Sequence, residues 1–306
     1  MAGDEPSPAK DTGSTGVDVE PAGLSPDEAF ALIGHELRVE ILRSLLEACG
    51  EREEYPTSFS TLRDHVGAEV SSQFSYHLEA LVGHFIRRTE GGYELRYAGW
   101  EVATSVLAGT YTERAAFGPT SIDGRCPLCS ASSLLVTYRE EWLDIKCDAC
   151  ERQLLRYTFP PGGLESRTLE ETLRAFDRHV RTDLALARDG ICPSCTGRMR
   201  VVTDGDGLPA DRIAVCVCQR CGNRLVPSIG AYFVDHERIH RFLHDGGFSR
   251  EIPLWEREYC VSTTCTTVAS TDPWRGTVLV RGTDRTLRVT VDETLSVCST
   301  TVDSHG

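Results

Sequence analysis

Residues 59–96 of this 306-residue chain read FSTLRDHVGAEVSSQFSYHLEALVGHFIRRTEGGYELR, and this stretch decides the fold of the first third of the protein. Leu62 and Val66 lie four residues apart, which predicts a short helix that Ser60 caps and Gly67 ends. A second helix is predicted from about Ser71 to Val82, with Ser71 or Ser72 as its cap. One face of this second helix is apolar and should face a core: Phe74, Leu78, Leu81 and Val82.

The opposite face of the second helix is polar. It carries mostly small or amide side chains, which can approach the edges of DNA bases without steric conflict: Ser72, Gln73, Ser75, Tyr76 and Glu79. Gln73 is the best candidate for a bidentate contact to adenine, because its amide offers both donors and an acceptor. Ser72, Ser75 and Tyr76 would add base or phosphate contacts.

A β-hairpin is predicted directly after the second helix. FIRRT and YELRY are strand-like runs, and Glu90, Gly91 and Gly92 between them form a turn able to adopt positive φ. Two short helices followed by a hairpin is the layout of a winged helix-turn-helix. Arginines cluster in and beside this hairpin, where they would meet phosphates or the minor groove: Arg87, Arg88 and Arg96.

These residues resemble the ArsR-type winged-helix transcriptional regulators. The similarity rests on FSTLR from Phe59, FSYHLEAL from Phe74, FIRR from Phe85, GYEL from Gly92, and an upstream HELRVEILRSLLEA that begins at His35. The resemblance covers roughly residues 25 to 115. It implies a DNA-binding dimer whose second motif helix enters the major groove. The family's paired-thiol metal sensor is missing, since the first motif helix carries Arg63, Asp64 and His65, so heavy-metal sensing is not implied.

Helices flank the motif on both sides. Ser25, Pro26 and Glu28 form a helix start with a capping box, and the helix should run to about Ile33. A second core helix is predicted over residues 36–48. After the hairpin, AGWEVATSVLAG predicts a further helix. In the resembled family such a helix pairs with its copy across a two-fold axis, and the alternative for this chain is that the helix caps its own domain. We therefore predict a DNA-binding domain over residues 25–117, after a disordered tail at 1–24 that is rich in Gly, Pro, Ser and acid.

Paired CxxC motifs carry the most specific chemical signal. Each CxxC motif is a potential zinc knuckle. Seventeen residues separate the first two CxxC motifs and twenty-two separate the last two, with strand-like runs in each interval. This pattern predicts two zinc ribbons, over residues 121–160 and 190–228. The predicted ligands form two structural four-cysteine sites for Zn²⁺: Cys126, Cys129, Cys147 and Cys150, then Cys192, Cys195, Cys218 and Cys221. Closed four-thiolate sites leave no position for a catalytic water, so they favour a structural role.

Three alternatives remain open at these cysteines. Disulfides would require an oxidising compartment, and nothing in the sequence points to export. A redox-sensing CxxC would not need two matched knuckles each time. Finally, Cys216 lies close enough to Cys218 to replace it as a ligand.

The remaining segments connect and follow the ribbons. Thr168 and Glu171 form a capping box for a connecting helix, within residues 166–189, whose apolar stripe would pack on a ribbon or on a partner chain. Residues 229–302 predict a helix from Ala231 and then a small β-sheet with a turn at Gly282. In that helix, imidazoles recur every four residues and form either a metal site or a solvated face: His236, His240 and His244. Three further thiols lack metal spacing and have no assigned role: Cys260, Cys265 and Cys298. The ribbon, helix, ribbon layout resembles the cysteine-rich C-terminal regions of winged-helix regulators of salt-loving archaea.

Charge at first argues against a nucleic-acid partner. The net charge is −14, and residues 25–117 contain fifteen acids against eight Arg, but residues 70–97 contain three of each, so the predicted DNA-reading surface is the least acidic part of its domain. Only Lys10 and Lys146 occur beside thirty Arg. Acid excess with scarce lysine suggests a proteome adapted to very high internal salt. In such salt, counterion release contributes little to DNA binding, so the affinity for DNA has to rest on hydrogen bonds and shape.

The sequence therefore predicts an α+β protein: a winged helix-turn-helix, two zinc ribbons, a connecting helix and a small β-rich C-terminal region. The predicted function is transcriptional regulation by a homodimer on double-stranded DNA, with the ribbon region for sensing or protein contacts. The alternative is a protein-interaction or RNA-associated adaptor that docks through its winged helix; an acidic protein that touches no DNA also stays open. We find no catalytic constellation, so we do not expect an enzyme. Without an apolar run of signal or membrane length, we expect a soluble, cytoplasmic protein.

Overall fold

A computed structural model describes residues 23–50, 55–203, 214–249 and 251–304. The chain divides between Leu107 and Ala108 into two compact units. The sequence predicts a boundary at residue 117, whereas the structure divides the chain after residue 107. Residues 117–122 form a strand of the second unit. The predicted tail lies outside the described residues except for Gly23 and Leu24.

The first unit consists of five helices and one hairpin in its described residues. In chain order they are α1 (Pro26–Ile33), α2 (Glu36–Gly50), α3 (Phe59–Val66), α4 (Ser71–Leu81), β1 (Ile86–Thr89), β2 (Gly92–Leu95) and α5 (Tyr97–Leu107). The predicted capping box at α1 is confirmed, since Ser25 Oγ accepts from the Glu28 N–H while the Glu28 carboxylate accepts from the Ser25 N–H.

Two predicted helix caps in the motif are wrong. Ser58, not Ser60, caps α3, because its Oγ accepts from the Thr61 N–H at 3.1 Å. The N-cap of α4 is Val70, whose side chain cannot accept a hydrogen bond, so neither Ser71 nor Ser72 has that role. The predicted end of α3 is confirmed, since Gly67 adopts a left-handed conformation with φ of 67°.

One apolar core holds the first unit together. Side chains of α2, α3, α4 and the hairpin are fully or almost fully buried in it: Ile41, Leu42, Leu45, Leu62, Phe74, Leu78, Leu81, Ile86 and Leu95. The hairpin is antiparallel, with Thr89 opposite Gly92, and Tyr93 also exchanges backbone hydrogen bonds with Thr57. A Cβ at Gly92 would lie 2.3 Å from the Thr57 carbonyl oxygen, so this close approach requires glycine.

The second unit contains three antiparallel sheets in its described residues. The first, in spatial order, is β3 (Phe117–Ile122), β4 (Leu134–Arg139), β5 (Trp142–Cys147) and β6 (Gln153–Thr158). The next is β7 (Met199–Val202), β8 (Val215–Cys218) and β9 (Arg224–Leu225). The last is a meander of β10 (Thr266–Thr271), β11 (Trp274–Arg281), β12 (Arg285–Asp292) and β13 (Val297–Ser304).

The connecting helix, α6 (Leu169–Arg188), forms as predicted. Thr168 and Glu171 complete the capping box, and Gly190 follows the helix with φ of 78°. Phe176 of α6 packs edge-on against Phe159, with ring centroids 5.8 Å apart. The helix belongs to the same buried core as the residues of all three sheets, so its apolar stripe packs within the chain.

The helix predicted from Ala231 is divided in two. The structure places α7 at Ile229–Tyr232 and α8 at Glu237–Asp245, with α9 (Glu258–Val261) further on. His236 caps α8, since its Nδ1 accepts from the Arg238 N–H at 3.3 Å. Asp235, in the break, binds the buried guanidinium of Arg181 on α6 at 2.9 Å. The break between α7 and α8 thus coincides with a long-range ion pair, which the helical periodicity of the sequence does not reveal.

None of the helices in the described residues is long and apolar enough to cross a membrane.

Candidate functional site

Four short turns in the second unit share one geometry. The first cysteine of each CxxC donates its N–H to the carbonyl oxygen five residues later, at 2.8 to 3.0 Å: Cys126 to Ala131, Cys147 to Arg152, Cys192 to Gly197 and Cys218 to Asn223. The residue after each second cysteine has positive φ: Ser130, Glu151, Thr196 and Gly222. These turns point both sulfurs of a knuckle toward one spot.

The four knuckles meet in two pairs. Each group of four sulfurs lies within 4.8 Å of one another: Cys126, Cys129, Cys147 and Cys150 in the first cluster, and Cys192, Cys195, Cys218 and Cys221 in the second. The shortest sulfur–sulfur distances across the knuckles are 3.6 Å in the first cluster and 3.5 Å in the second. No disulfide is formed within either cluster, because an S–S bond measures about 2.0 Å.

The sulfur separations fit a tetrahedral metal ion. With metal–sulfur bonds of about 2.3 Å, tetrahedral geometry places sulfurs about 3.8 Å apart. Two further cross-knuckle distances, Cys126 to Cys150 at 3.9 Å and Cys192 to Cys221 at 3.7 Å, agree with that value. Both tetracysteine clusters are therefore compatible with a structural metal, as the CxxC spacing predicts.

Ionisation in the clusters is uneven. The N–H groups of Cys221 and Arg220 point at the Cys218 sulfur and lower the pKa of Cys218 to about 6. Although the Gly197 N–H lowers the pKa of Cys195, the neighbouring thiols, Cys221 first, raise it to about 12. Burial raises the pKa of Cys147, but the Cys150 N–H and the nearby sulfurs outweigh it and bring the value to about 7. Four thiolates in one cluster repel one another, and a divalent cation would remove that conflict.

Gly197 is a residue of the second cluster that the cysteine spacing does not reveal. A Cβ at this position would lie 3.1 Å from the Cys195 sulfur and 3.4 Å from the Cys218 sulfur. The only sequence signal is its place two residues after the knuckle. On the other side, the Asn223 amide donates to Ser194 Oγ at 2.9 Å and reaches the Cys192 sulfur at 3.9 Å.

Cys216 is not a ligand in this geometry. It is fully buried beside Tyr232, and burial raises the pKa of its thiol. Cys260 and Cys265 are also buried, whereas Cys298 is exposed, and the described residues bring none of these three into a metal-binding group. The predicted histidine row forms no such group in the described chain either: His236 is a helix cap, His240 faces Asp235 at 3.2 Å, and His244 is exposed.

The polar face of α4 lies where the sequence predicts it. Phe74, His77, Leu78 and Leu81 are buried, while Ser72, Gln73 and Tyr76 are exposed and Ser75 is half-buried. Tyr76 has 67 % of its surface exposed. These side chains form a continuous polar face beside the hairpin.

The hairpin arginines are exposed but engaged within the chain. Arg87 pairs with Glu94 across the hairpin, and Arg88 pairs with Glu79 of α4. Arg88 also donates to the Tyr93 hydroxyl at 3.1 Å, and Arg96 donates to the Gly83 carbonyl. Ion pairs of a solvent-exposed guanidinium contribute little to stability, so another anion can replace the carboxylate.

Apolar side chains are exposed along α5. Tyr97, Trp100 and Leu107 follow one another at helical spacing, with 77, 36 and 42 % of their surfaces exposed. Ala103 lies on the side of α5 that is buried against the core. An unpartnered stripe on an amphipathic helix is typical of a protein contact.

Comparison with protein families assigns the chain to a class without a known activity. The structure defines a mixed α+β protein with two tetracysteine clusters. Residues 123–297 match the model of a family described as a domain of unknown function (DUF7351), and residues 26–106 match that of a second domain of unknown function (DUF7347). Because the first match covers more than half of the chain, the protein belongs to the DUF7351 family. Searches of curated proteins and of solved structures give no match.

Proposed function

We propose that this protein is a DNA-binding transcriptional regulator whose first unit is a winged helix-turn-helix. The observation that carries the proposal is α4, which buries one apolar face and leaves Ser72, Gln73 and Tyr76 exposed beside a β-hairpin. In winged helices the second motif helix enters the major groove and the hairpin follows the backbone. The resemblance of residues 25 to 115 to ArsR-type regulators supports the same function.

Gln73 and Arg88 have different roles in this proposal. Gln73 would read a base edge, whereas Arg88 would exchange Glu79 for a phosphate. Loss of a base contact changes which sequence is preferred, and loss of a phosphate contact weakens binding to all sequences alike. The two variants Gln73→Ala and Arg88→Ala therefore separate the roles.

The experiment is selection of bound duplexes from a random pool, followed by titration of the selected and a scrambled sequence. Gln73→Ala should change the selected sequence and cost about 1–3 kcal/mol on it. Arg88→Ala should weaken both sequences equally and lower the salt dependence. Arg139→Ala, which removes an exposed charge from the second unit, is the control. Equal loss on both sequences from Gln73→Ala contradicts the assignment.

Dimerisation is part of the proposal. A palindromic operator requires a two-fold dimer, and the exposed stripe of Tyr97, Trp100 and Leu107 supplies an apolar face for self-association. A homodimer through α5 would present two α4 helices, one for each half-site of a palindrome.

Both tetracysteine clusters would hold Zn²⁺. Sulfur separations of 3.5 to 3.9 Å support this assignment, together with four thiol ligands and no open position. Metal analysis of the purified protein should return two Zn per chain, and chelation should destabilise the second unit while sparing the first. One zinc per chain or none contradicts the paired-site assignment.

The working salt concentration is also part of the proposal. Forty-six acids against thirty-two basic residues, only two of them lysine, suit a protein of a salt-rich cytoplasm. Titrations should therefore be made at both low and molar KCl. Specific binding that survives molar KCl supports recognition by hydrogen bonds and shape.

The second candidate is a protein-interaction or RNA-associated adaptor. The engagement of Arg87, Arg88 and Arg96 within the chain favours it, because these guanidinium groups are already partnered. Genomic pull-down at molar salt decides between the two: an enriched sequence supports the regulator, and no enriched sequence supports the adaptor.

A further inference from the structure

A groove of about 600 Å³ lies in the second unit between two sheet edges. One wall is β6, an outer strand of its sheet, and the other is the segment of residues 223–228, which contains the outer strand β9. The size falls within the range of about 300–1,000 Å³ for ligand pockets. The metal clusters do not line it, so the groove is a separate feature of this unit.

The register of β6 shows which backbone groups face the groove. Phe159 donates its N–H to the Glu141 carbonyl at 2.8 Å, and the pairing continues with Trp142 opposite Thr158 and Asp144 opposite Arg156. Hydrogen-bonded and non-hydrogen-bonded pairs alternate in an antiparallel ladder. Arg156 and Thr158 are therefore at non-hydrogen-bonded positions, and their N–H and C=O groups point away from β5. Within the described part of the chain, no strand pairs with this edge.

The floor of the groove is apolar. Its accessible apolar side chains, each half-buried, are Leu155, Val226, Pro227 and Val261, whereas Val180, Leu184, Ala231 and Leu254 line it from the buried core. An extended chain beside β6 would place every second side chain on this floor. At about 3.3 Å per residue, the length of β6 matches a segment of six residues.

The charged residues that line the groove indicate the charge of its ligand. Among the described residues that line it, Arg156 and Arg224 are the charged ones, although the protein as a whole has a net charge of −14. Arg156 stacks over the Trp142 ring at 4.8 Å and lies 3.6 Å from Asp144, with half of its side chain exposed. A basic wall on an acidic protein is complementary to acidic side chains.

We propose that this groove binds an extended acidic peptide of a partner protein, which adds a strand to β6. Backbone groups of Arg156 and Thr158 would pair with the peptide, apolar side chains at alternate positions would contact the floor, and acidic side chains between them would face Arg156. The proposal does not rest on DNA binding, because the groove lies wholly within the second unit.

The test uses the full-length, metal-loaded protein and short labelled peptides. One peptide alternates valine with glutamate over about six residues, a second alternates valine with lysine, and a third is the glutamate peptide with proline in place of alternate residues. Fluorescence anisotropy should show saturable binding of the glutamate peptide and at least about tenfold weaker binding of the other two, because they lose charge complementarity or backbone donors.

Variants connect the binding to the groove. Arg156→Glu should weaken the glutamate peptide by about tenfold or more and favour the lysine peptide, while Arg139→Glu, an exposed site on β4, should leave both unchanged. Thr158→Pro removes an outward N–H and should weaken the glutamate peptide. Metal content and circular dichroism verify the fold, and if Thr158→Pro does not fold, Arg156→Glu decides alone.

Three results would overturn the proposal. The first is no saturable binding of any peptide by the intact protein. The second is binding that Arg156→Glu and proline leave unchanged. The third is occupation of the groove by this chain itself, seen either as a dimer that Thr158→Pro dissociates or as peptide binding that appears only after deletion of residues 1–22.

Discussion

Cys216 and Cys218 lie two residues apart on β8, and replacing each by serine tests the assignment of ligands in the second cluster. Cys218 lies 3.5 Å from Cys195 within that cluster, whereas Cys216 is buried beside Tyr232. Cys218→Ser should therefore reduce the metal content from two ions per chain to one. Cys216→Ser should keep both ions, because its sulfur contributes to neither group.

The expected loss of stability can be worked from the chain. A metal held by Cys195 and Cys218 closes a loop of 22 intervening residues. In the chain-entropy model of a cross-link, a loop of that length is worth about 3 kcal/mol, and a metal clip acts on the unfolded chain in the same way. Cys218→Ser should lower the free energy of unfolding of the second unit by about that amount or more. Cys216→Ser should cost about 1–3 kcal/mol, since a hydroxyl replaces a buried thiol.

Elemental analysis and urea unfolding with and without a chelator are the assays. The chelator should destabilise the Cys216→Ser variant as much as the native protein, and the Cys218→Ser variant less. Two ions retained in Cys218→Ser, together with one in Cys216→Ser, would mean that Cys216 is the ligand. Two ions in both variants would refute a four-thiolate site.

Two further predictions concern the first unit. Trp100→Glu on α5 should convert the proposed dimer to monomers in sedimentation velocity, whereas Arg139→Glu in the second unit should not. A native protein that is monomeric at tens of micromolar would contradict the α5 interface. Burial, His35 and Arg38 lower the pKa of His77, so the neutral imidazole is favoured in the folded state and stability is lost as the pH falls from about 6.5 toward the lowered folded pKa. Urea unfolding at about pH 7.5 and about pH 5.5, on either side of the unfolded pKa, gives the free energy of unfolding lost between the two pH values. His77→Gln should lose less than the native protein, and an equal loss in the two proteins would refute the role of His77.

Local signals in the sequence predicted the elements that depend on neighbouring residues. The CxxC spacing identified both clusters, and the capping boxes at Ser25 and Thr168 located α1 and α6. Each of these features is decided within a few residues, so it can be recognised without knowledge of the fold. The proposed DNA contacts at Gln73, Tyr76 and the hairpin arginines remain predictions.

Long-range contacts explain what the sequence did not show. The start of α3 is fixed by Phe59, which packs edge-on against Phe74 at 5.1 Å, so the cap is Ser58. The helix from Ala231 is interrupted where Asp235 meets Arg181, 54 residues earlier in the chain. Likewise, the strand at 117–122 is recognisable only through its pairing with β4. None of these partners is visible in a local window of sequence.

The two cysteine clusters share one hydrophobic core. Cys126 and Cys147 of the first cluster and Cys192 and Cys218 of the second are buried in the same contiguous group of side chains, which also includes Phe176 of α6 and the C-terminal sheet. Zinc ribbons elsewhere are often independent modules that fold once the metal binds. In this chain neither tetracysteine cluster can be removed or transferred to another protein with its sheet without exposing the apolar surface that it shares with the other, so the second unit has to be engineered as a whole.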